Sequence, residues 1–512
     1  MFTRVLIANR GEIAVRIART CRALGIPAAA VFSDADRNAR HVAACDAAVR
    51  IGPAPAAESY LSVGRIVDAA RASGADAVHP GYGFLSEDPA LAAACDDAGL
   101  TFIGPPADVI ARFGSKINAR RAARDAGVQV VPGGEPTDQS EAGIAAAARR
   151  TGFPLILKPS AGGGGKGMVT ATSGDSLEED IARARREAQA TAGDGTLYVE
   201  RRIERPRHVE VQVVADRHGS VLQLGERDCS TQRRHQKVIE ESPAPGLSPG
   251  LRARLAAAAV DVARHAGYEN AGTVEFLIDG AGDDAGCYFL EMNTRLQVEH
   301  PITELVTGVD LVEAQLVVAA GRPLPWSAAE VAPRGHAVEC RVYAEDPAAG
   351  YLPQAGTIAG YHEPSGPGIR VDSGVGAGSD VPVHYDPLLA KLAAAGRTRE
   401  QARRRAHAAL GEFAVLGLQT NIGLLRRVLA HDAFVAAEVH TGFLAEHEKA
   451  LIGTAPDELT LAAVAAASAV QSKRDHRTAA GGGSGADRHP PRDARDAGVW
   501  SRLAGWRLGA DD

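Results

Sequence analysis

The chain has 512 residues, room for about three domains of ~100–200 residues each, and its 45% hydrophobic and 23% charged content is that of a folded soluble protein, which excludes a small scaffold and a disordered chain. Its 56 Lys and Arg against 63 Asp and Glu give a net charge of −7, and with no basic stripe nucleic acid is not an expected partner. Six cysteines without a CxxC pair suggest neither a disulfide framework nor a zinc site and favour the cytoplasm, while the polar turn after MFTRVLIA and the lack of a long apolar run predict no signal peptide and no membrane span.

The elements alternate from the start. VLIA (5–8) reads as a strand, NRG as a turn, EIAVRIARTCRALG as an amphipathic helix and PAAAVFSD as a second strand, a βαβ unit of a parallel sheet. An Ala-rich helix, the strand DAVHP and the loop GYGFLSE repeat the rhythm, so residues 1–112 are expected to form one α/β domain with ligands at the strands' C-terminal ends. A dinucleotide site is disfavoured because the first turn lacks G-x-G-x-x-G.

From residue 113 helices lead into the strand FPLILKP and the loop KPSAGGGGKGM (158–168). Its four glycines could be a flexible hairpin, or could let backbone N–H groups close over phosphate oxygens. Lysine scarcity favours the phosphate reading: only seven of the 56 basic residues are Lys, yet Lys116, Lys158 and Lys166 cluster here, where a compact ammonium suits phosphates better than a guanidinium. From His208 the chain alternates strictly in HVEVQVVAD, TVEFLID and FLEMNTRLQVEHP, the pattern of antiparallel strands. Between them, ERDCSTQRRHQKVIEE (226–241) is either a surface ion-pair network or, with the rare Lys237, an anion site; Cys229 reads as a small core residue.

EMNTRLQVE (291–299) is the strongest local signal. Read as a strand, it puts Glu291, Asn293, Arg295, Gln297 and Glu299 on one face. A solvated outer face would look similar, but the neighbouring TVEFLI carries a lone Glu275 among apolar residues, and carboxylates with an amide oxygen on adjacent strands suit Mg²⁺ or Mn²⁺. A third mixed segment runs from RGHAVECRVYAED through YDPLLAKL to a helix ending before residue 450. Beyond it, LTLAAVAAASAV (459–470) reads as an Ala-rich helix and the following Gly/Pro/Asp/Arg-rich stretch as a disordered linker. Trp500 and Trp506 are unusual in such a tail. They mark either an exposed or back-docked end or the opening of another domain.

NRGEIAVRI, HPGYGFLSE, KPSAGGGGKGM, ERDCSTQRRHQKVIEE, EMNTRLQVEHP, RGHAVECRVYAED and YDPLLAK, in this order, resemble the biotin carboxylase component of biotin-dependent carboxylases over residues 1 to about 449. The resemblance implies an α/β and α+β ATP-grasp fold: an N-terminal Rossmann-like domain (1–112), an ATP-grasp domain with a glycine-rich lid (113–322) and a biotin carboxylase C-terminal domain (333–449), followed by the tail 450–512.

It also implies roles. Lys116, Lys158, the lid residues Gly162, Gly163, Gly164, Gly165, Lys166 and Gly167, and His208, Gln232 and His235 would contact ATP, with Glu200 and Ile203 at the adenine. Glu275, Glu291 and Asn293 would hold two Mg²⁺ or Mn²⁺ ions. Lys237, Arg295, Gln297 and the backbone of Val298 would bind bicarbonate, Glu299 would deprotonate it, and Arg341 would steady the biotin enolate. One departure is that Val169 follows Met168 where the family often has Arg. The expected activity is ATP- and bicarbonate-dependent carboxylation of biotin through carboxyphosphate, with a carbamoyl-phosphate synthase half or a non-catalytic ATP-binding scaffold as weaker readings.

The family's carriers hold biotin on a Lys flanked by Met, and no such site occurs here, so biotin is expected as a substrate on a carrier domain or protein and not attached to this chain. A carboxyltransferase subunit and a homodimer or larger carboxylase complex are the other partners implied. VWSRLAGWRLG is similar to the segment after the biotin carboxylase domain in α chains of methylcrotonyl-type acyl-CoA carboxylases.

Overall fold

A computed structural model describes residues 1–161, 165 and 167–453 of the chain. Gly162, Gly163, Gly164 and Lys166 of the glycine loop lie outside the described residues, as do the stretch 459–470, the polar segment after it and both C-terminal tryptophans.

The opening βαβ unit forms as the periodicity requires. Val5–Ile7 and Ala28–Ser33 pair in parallel, joined by the helix Gly11–Ala23, whose Ile13, Ile17 and Cys21 recur every four residues and are buried. Five parallel strands follow the order Ala47–Gly52, Ala28–Ser33, Val5–Ile7, Ala77–His79, Thr101–Phe102. The order reverses beside Val5–Ile7, where an open sheet leaves a crevice at its C-terminal edge. Asn9 closes that edge: its Nδ2 donates to the carbonyls of Pro80 and Tyr82 at 2.7 and 2.8 Å, fixing the start of the GYGFLSE loop.

A four-stranded antiparallel sheet follows, in the order Gly133–Gly134, Leu197–Arg201, Leu155–Pro159, Val169–Ala171. The helices Glu141–Thr151 and Leu177–Ala192 cover it, packing Ile144, Ala148, Ile181 and Ala184 against Leu155, Leu157 and Val199. It carries Lys158 and Glu200 on adjacent strands.

The strict alternation from His208 becomes an eight-stranded antiparallel sheet. Its order is Gly286–Asn293, Asn270–Asp279, Arg207–Ala215, Val221–Arg233, Gln236–Ser242, His336–Tyr343, Leu388–Gly396, Ile369–Ser373. Val209, Val211 and Val213 face the helix Pro249–His265 together with Phe276 and Phe289, while His208, Glu210 and Gln212 face the other way. Both faces are buried, so polar residues on the second face need partners inside the protein. Truncating the apolar side, Phe276→Ala, is expected to cost ~3–5 kcal/mol and to lower the denaturant midpoint without changing the residues on the opposite face.

Two expectations are revised. EMNTRLQVE is not one strand: the ladder stops at Asn293, the chain turns through residues 294–299, and a helix runs over His300–Thr307. Leu296 is fully buried among the residues beneath the N-terminal sheet, and seating it there takes the backbone out of the ladder. The closing segment holds more than one helix. Arg399–Glu412 and Ile422–Ala430 are followed by three short helices, the last being Glu448–Leu451, and Leu451 lies in the core. The eight-stranded sheet also spans the middle and closing segments, because Gln236–Ser242 pairs with His336–Tyr343. All six cysteines are free, and no helix among the described residues is long and apolar enough to cross a membrane.

Candidate functional site

Register alone assembles a charged row on the buried polar face. Glu291 lies opposite Glu275, Glu275 opposite Glu210, and Glu210 opposite Arg227 across four strands. Further along the same sheet Arg341 lies opposite Lys391, and Lys391 opposite Asp372. Cross-strand neighbours sit ~4.5–5.5 Å apart at Cβ, so like charges in such a row must be neutralised or bridged.

Lys237 is the bridge. Its Nζ donates to Glu210 Oε2 at 2.5 Å, Glu275 Oε1 at 2.8 Å and Glu299 Oε1 at 2.6 Å. Burial works against the Lys237 ammonium, but three carboxylates hold its pKa well above the usual lysine value. Burial likewise opposes the Glu299 carboxylate, and Lys237, Arg341 and Arg227 outweigh it and hold its pKa well below the usual range. Glu210 goes the other way: burial and the Glu299 charge push its pKa up, although Arg227 Nε donates to its Oε1 at 2.6 Å. Cys229 lies against this cluster, its Sγ 3.8 Å from Glu299 Oε1, and burial raises its thiol pKa, so it packs as the small core residue expected.

On the side toward the four-stranded sheet, lysines pair with glutamates. Lys116 opens the helix Lys116–Asp125, which Ser115 caps, and its N–H donates to the Ser160 carbonyl at 2.8 Å. Its Nζ meets Glu291. Lys158 meets Glu200, whose other oxygen takes Arg120. Both oxygens of Glu200 thus face cations, and Ile203, two residues beyond the end of that strand, is buried. His208 Nε2 lies 2.9 Å from Glu275 Oε2 and its Nδ1 lies 3.2 Å from the Gln232 amide. Burial lowers the His208 pKa, yet the Glu275 carboxylate turns the net shift upward.

The hairpin between Val221–Arg233 and Gln236–Ser242 turns on Arg234 and His235, at φ 49° and 68°. Two-residue hairpin turns prefer Asn-Gly or Gly at such angles, so this turn accepts strain to place a histidine at its tip. The lid meets that tip: a Cβ on Gly165, itself at φ 70°, would sit 2.4 Å from His235 Cδ2. Gly167, at φ 73°, packs against Pro159.

Despite leaving the ladder, the 294–299 turn delivers Arg295, Gln297 and Glu299 to one hydrogen-bonded cluster. Asn293 Nδ2 and Gln297 Nε2 both donate to Glu275 Oε1, at 2.7 and 3.3 Å, and Arg295 Nη1 donates to Gln297 Oε1 at 3.1 Å. Arg295 Nε also reaches Glu87 of the GYGFLSE loop at 2.8 Å. Arg341 Nη2 donates to Glu299 Oε2 at 2.9 Å and its Nε to Glu240 Oε1 at 2.5 Å. Lys391 Nζ holds the Val298 carbonyl at 2.7 Å and lies 3.3 Å from Glu12, which Tyr82 also meets.

Glu87, Glu210, Glu240, Glu339, Lys391 and the Glu12–Tyr82 pair are the neighbours that the sequence reading missed. Glu210 carries the signal that marked Glu275, a lone acid inside an apolar strand. Lys391 carries the scarcity signal that marked the other lysines.

Three family profiles match the chain: "Biotin carboxylase, N-terminal domain" over residues 1–110, "Carbamoyl-phosphate synthase L chain, ATP binding domain" over 115–327 and "Biotin carboxylase C-terminal domain" over 339–446. A biotin carboxylase of Halalkalibacterium halodurans is 48% identical over 456 residues, covering 89% of this chain and all of that protein. The mitochondrial methylcrotonoyl-CoA carboxylase subunit alpha of Glycine max is 49% identical over 458 residues, 90% of this chain and 62% of that one. Among solved structures, the biotin carboxylase domain dimer of Hydrogenobacter thermophilus 2-oxoglutarate carboxylase, in complex with MgADP, ADP and bicarbonate, superposes with a TM-score of 0.85 at 41% identity, over 89% of this chain and all of that one. The Campylobacter jejuni biotin carboxylase in a β-γ-ATP complex gives 0.84 at 41% identity, over 87% and 99%. The fold and the buried carboxylate–lysine site are those of an ATP-grasp ligase, and the chain belongs to the biotin carboxylase family. It spans about three fifths of the methylcrotonoyl-CoA carboxylase α subunits it matches.

Proposed function

We propose that the chain uses ATP and bicarbonate to carboxylate biotin presented by a carrier, the first half-reaction of a biotin-dependent carboxylase. The observation that carries this reading is the position of Glu299, with one oxygen on Lys237 and the other on Arg341. That carboxylate joins a nucleotide side, reached through Glu275, to a second cation on the closing segment.

Lys116, Lys158, His208, Gln232 and His235 surround the place for the phosphates and ribose, beneath the lid that includes Gly165 and Gly167. Glu275, Glu291 and Asn293 fit Mg²⁺ or Mn²⁺: two carboxylates directly opposite on adjacent strands with an amide beside them offer oxygen donors, and the ammonium groups of Lys116 and Lys237 against those carboxylates support the reading of a site for positive charge. When bound, such ions neutralise charge on the transferring phosphoryl oxygens.

Bicarbonate competes for Lys237, Arg295 and Gln297. As its oxygens draw Lys237 away, Glu299 loses a cation that depresses its pKa while burial still acts to raise it, and it becomes a stronger base next to the proton it must take. The deprotonated bicarbonate attacks the γ-phosphorus to give carboxyphosphate and ADP. Carboxyphosphate decomposes to CO₂ and phosphate, phosphate takes the N1 proton of biotin, and Arg341 stabilises the negative ureido oxygen while N1 attacks CO₂.

The deciding experiment is an ADP-release assay with and without bicarbonate and free biotin. Hydrolysis that requires bicarbonate and rises with biotin supports the reading, and hydrolysis indifferent to both removes it. A carrier, a carboxyltransferase subunit, a homodimer or larger complex and a cytoplasmic location belong to the same proposal.

A further inference from the structure

Behind Arg341 lies a pair of glutamates with no role in the scheme above. Register places Glu339 of His336–Tyr343 directly opposite Glu240 of Gln236–Ser242. Both are fully buried. Among the described residues neither Glu339 carboxyl oxygen has a hydrogen-bond partner, and Glu240 Oε2 has none either, while Glu240 Oε1 accepts from Arg341 Nε.

Two ionised carboxylates cannot share so dry a place. Glu339 would bear the desolvation of an unpaired charge, and each would bear the repulsion of its neighbour. A single proton resolves two of the three orphaned atoms and removes one of the two charges: an O–H on one carboxyl donates to the free oxygen of the other. Arg341 decides which residue keeps it, because its guanidinium favours the ionised form of the carboxylate that it touches, which is Glu240.

We propose that Glu339 is held protonated and donates its O–H to Glu240, acting as a positioning residue that keeps the Glu240 carboxylate ionised and locked on Arg341 Nε. The Nη2 end of Arg341 is then aimed at Glu299. The proposal rests on the reading that Arg341 serves the biotin half of the reaction. The charged and titratable groups around the pair are Arg341 and Cys340 on the same strand as Glu339, Lys391 on the next strand, Lys237 on the strand of Glu240, Cys229 and Glu299. Burial raises both carboxyl pKa values above the usual carboxylate range, and Arg341 acts to lower that of Glu240.

The test uses the full chain with Glu339→Gln and Glu339→Leu. The Gln amide still donates to Glu240 and has no proton to lose. It is expected to keep biotin-stimulated ATP cleavage within about twofold at neutral pH and to weaken the alkaline fall expected of the wild type as the pair loses its proton. Leu leaves Glu240 Oε2 without a donor and is expected to lower biotin-stimulated cleavage about tenfold, with bicarbonate-dependent hydrolysis in the absence of biotin within about twofold. Infrared difference spectra of ¹³C-glutamate-labelled protein report the proton independently: the wild type should show a carboxylic-acid carbonyl band at neutral pH that Glu339→Gln lacks. No difference in that band overturns the protonated Glu339. If the band is lost as expected but both half-activities fall together in Glu339→Leu, or Gln is as impaired as Leu, the link to Arg341 is overturned. Should Glu339→Leu fail to fold, the Gln pH profile and the infrared band decide.

Discussion

Glu299→Gln is expected to bind ATP as the wild type does and to lose ~10²–10⁴-fold of its bicarbonate-dependent turnover, the range for removing a general base. The amide is nearly isosteric, and its oxygen can still accept from Lys237 or Arg341. Its NH₂ group cannot accept from either cation and cannot take a proton from bicarbonate. The variant also removes a negative charge from a buried set in which Lys237 is shared among Glu210, Glu275 and Glu299. Lys237 keeps two carboxylates, so the site should hold its shape. Nucleotide affinity measured by calorimetry, beside turnover at saturating bicarbonate, separates the loss of the base from loss of the fold. Undiminished turnover removes Glu299 from this role.

The wild type also carries a pH signature. Because the Glu299 pKa is depressed in the folded protein, its share of stability is present above the unfolded carboxylate pKa and is lost as pH falls through the folded value. Glu275 behaves in the same direction, with Lys237 and His208 offsetting its burial. Acid unfolding of Glu299→Gln should therefore begin from a less stable protein at neutral pH and fall less steeply between the two carboxylate pKa values.

Local pattern carried much of the architecture. Period-2 alternation in HVEVQVVAD and TVEFLID located strands whose valines meet one helix, and the βαβ rhythm located the parallel sheet. Pattern failed at residues 294–299 because alternation of residue types continued where the backbone did not. A turn that buries Leu296 brings Arg295, Gln297 and Glu299 to one cluster as a strand would have done, so the grouping survived a wrong geometry.

The site was legible where composition was unusual. In an Arg-rich chain Lys116, Lys158 and Lys237 stood out, and each now lies against a buried or half-buried glutamate. Glu240 and Glu339 were not legible in the same way, because their significance comes from register. Strands nearly 100 residues apart in sequence put Glu240 beside Glu339, and nothing local to VIEES or HAVECRVY announces that contact. The N-terminal contributions, Glu87 to Arg295 and Glu12 to Lys391, depend on two segments meeting across more than 200 residues.

Arg341→Ala separates the two halves of the reaction. If the guanidinium stabilises the ureido oxygen of biotin, its loss should lower biotin-stimulated cleavage by ~10²–10³-fold, the range for one donor aimed at a developing oxyanion. The slow bicarbonate-dependent hydrolysis without biotin should persist, but with a changed pH profile. Arg341 is one of the cations that hold the Glu299 pKa down against burial, second to Lys237. Removing it raises that pKa, and the acid limb of the biotin-free activity should move to higher pH. The same truncation leaves Glu240 without the partner at its Oε1, so Glu240 and Glu339 both become more easily protonated, which spares the fold the burden of an uncompensated charge. Rates with and without biotin across pH check both parts. An equal loss of the two activities with an unmoved acid limb would place Arg341 in nucleotide or bicarbonate binding instead.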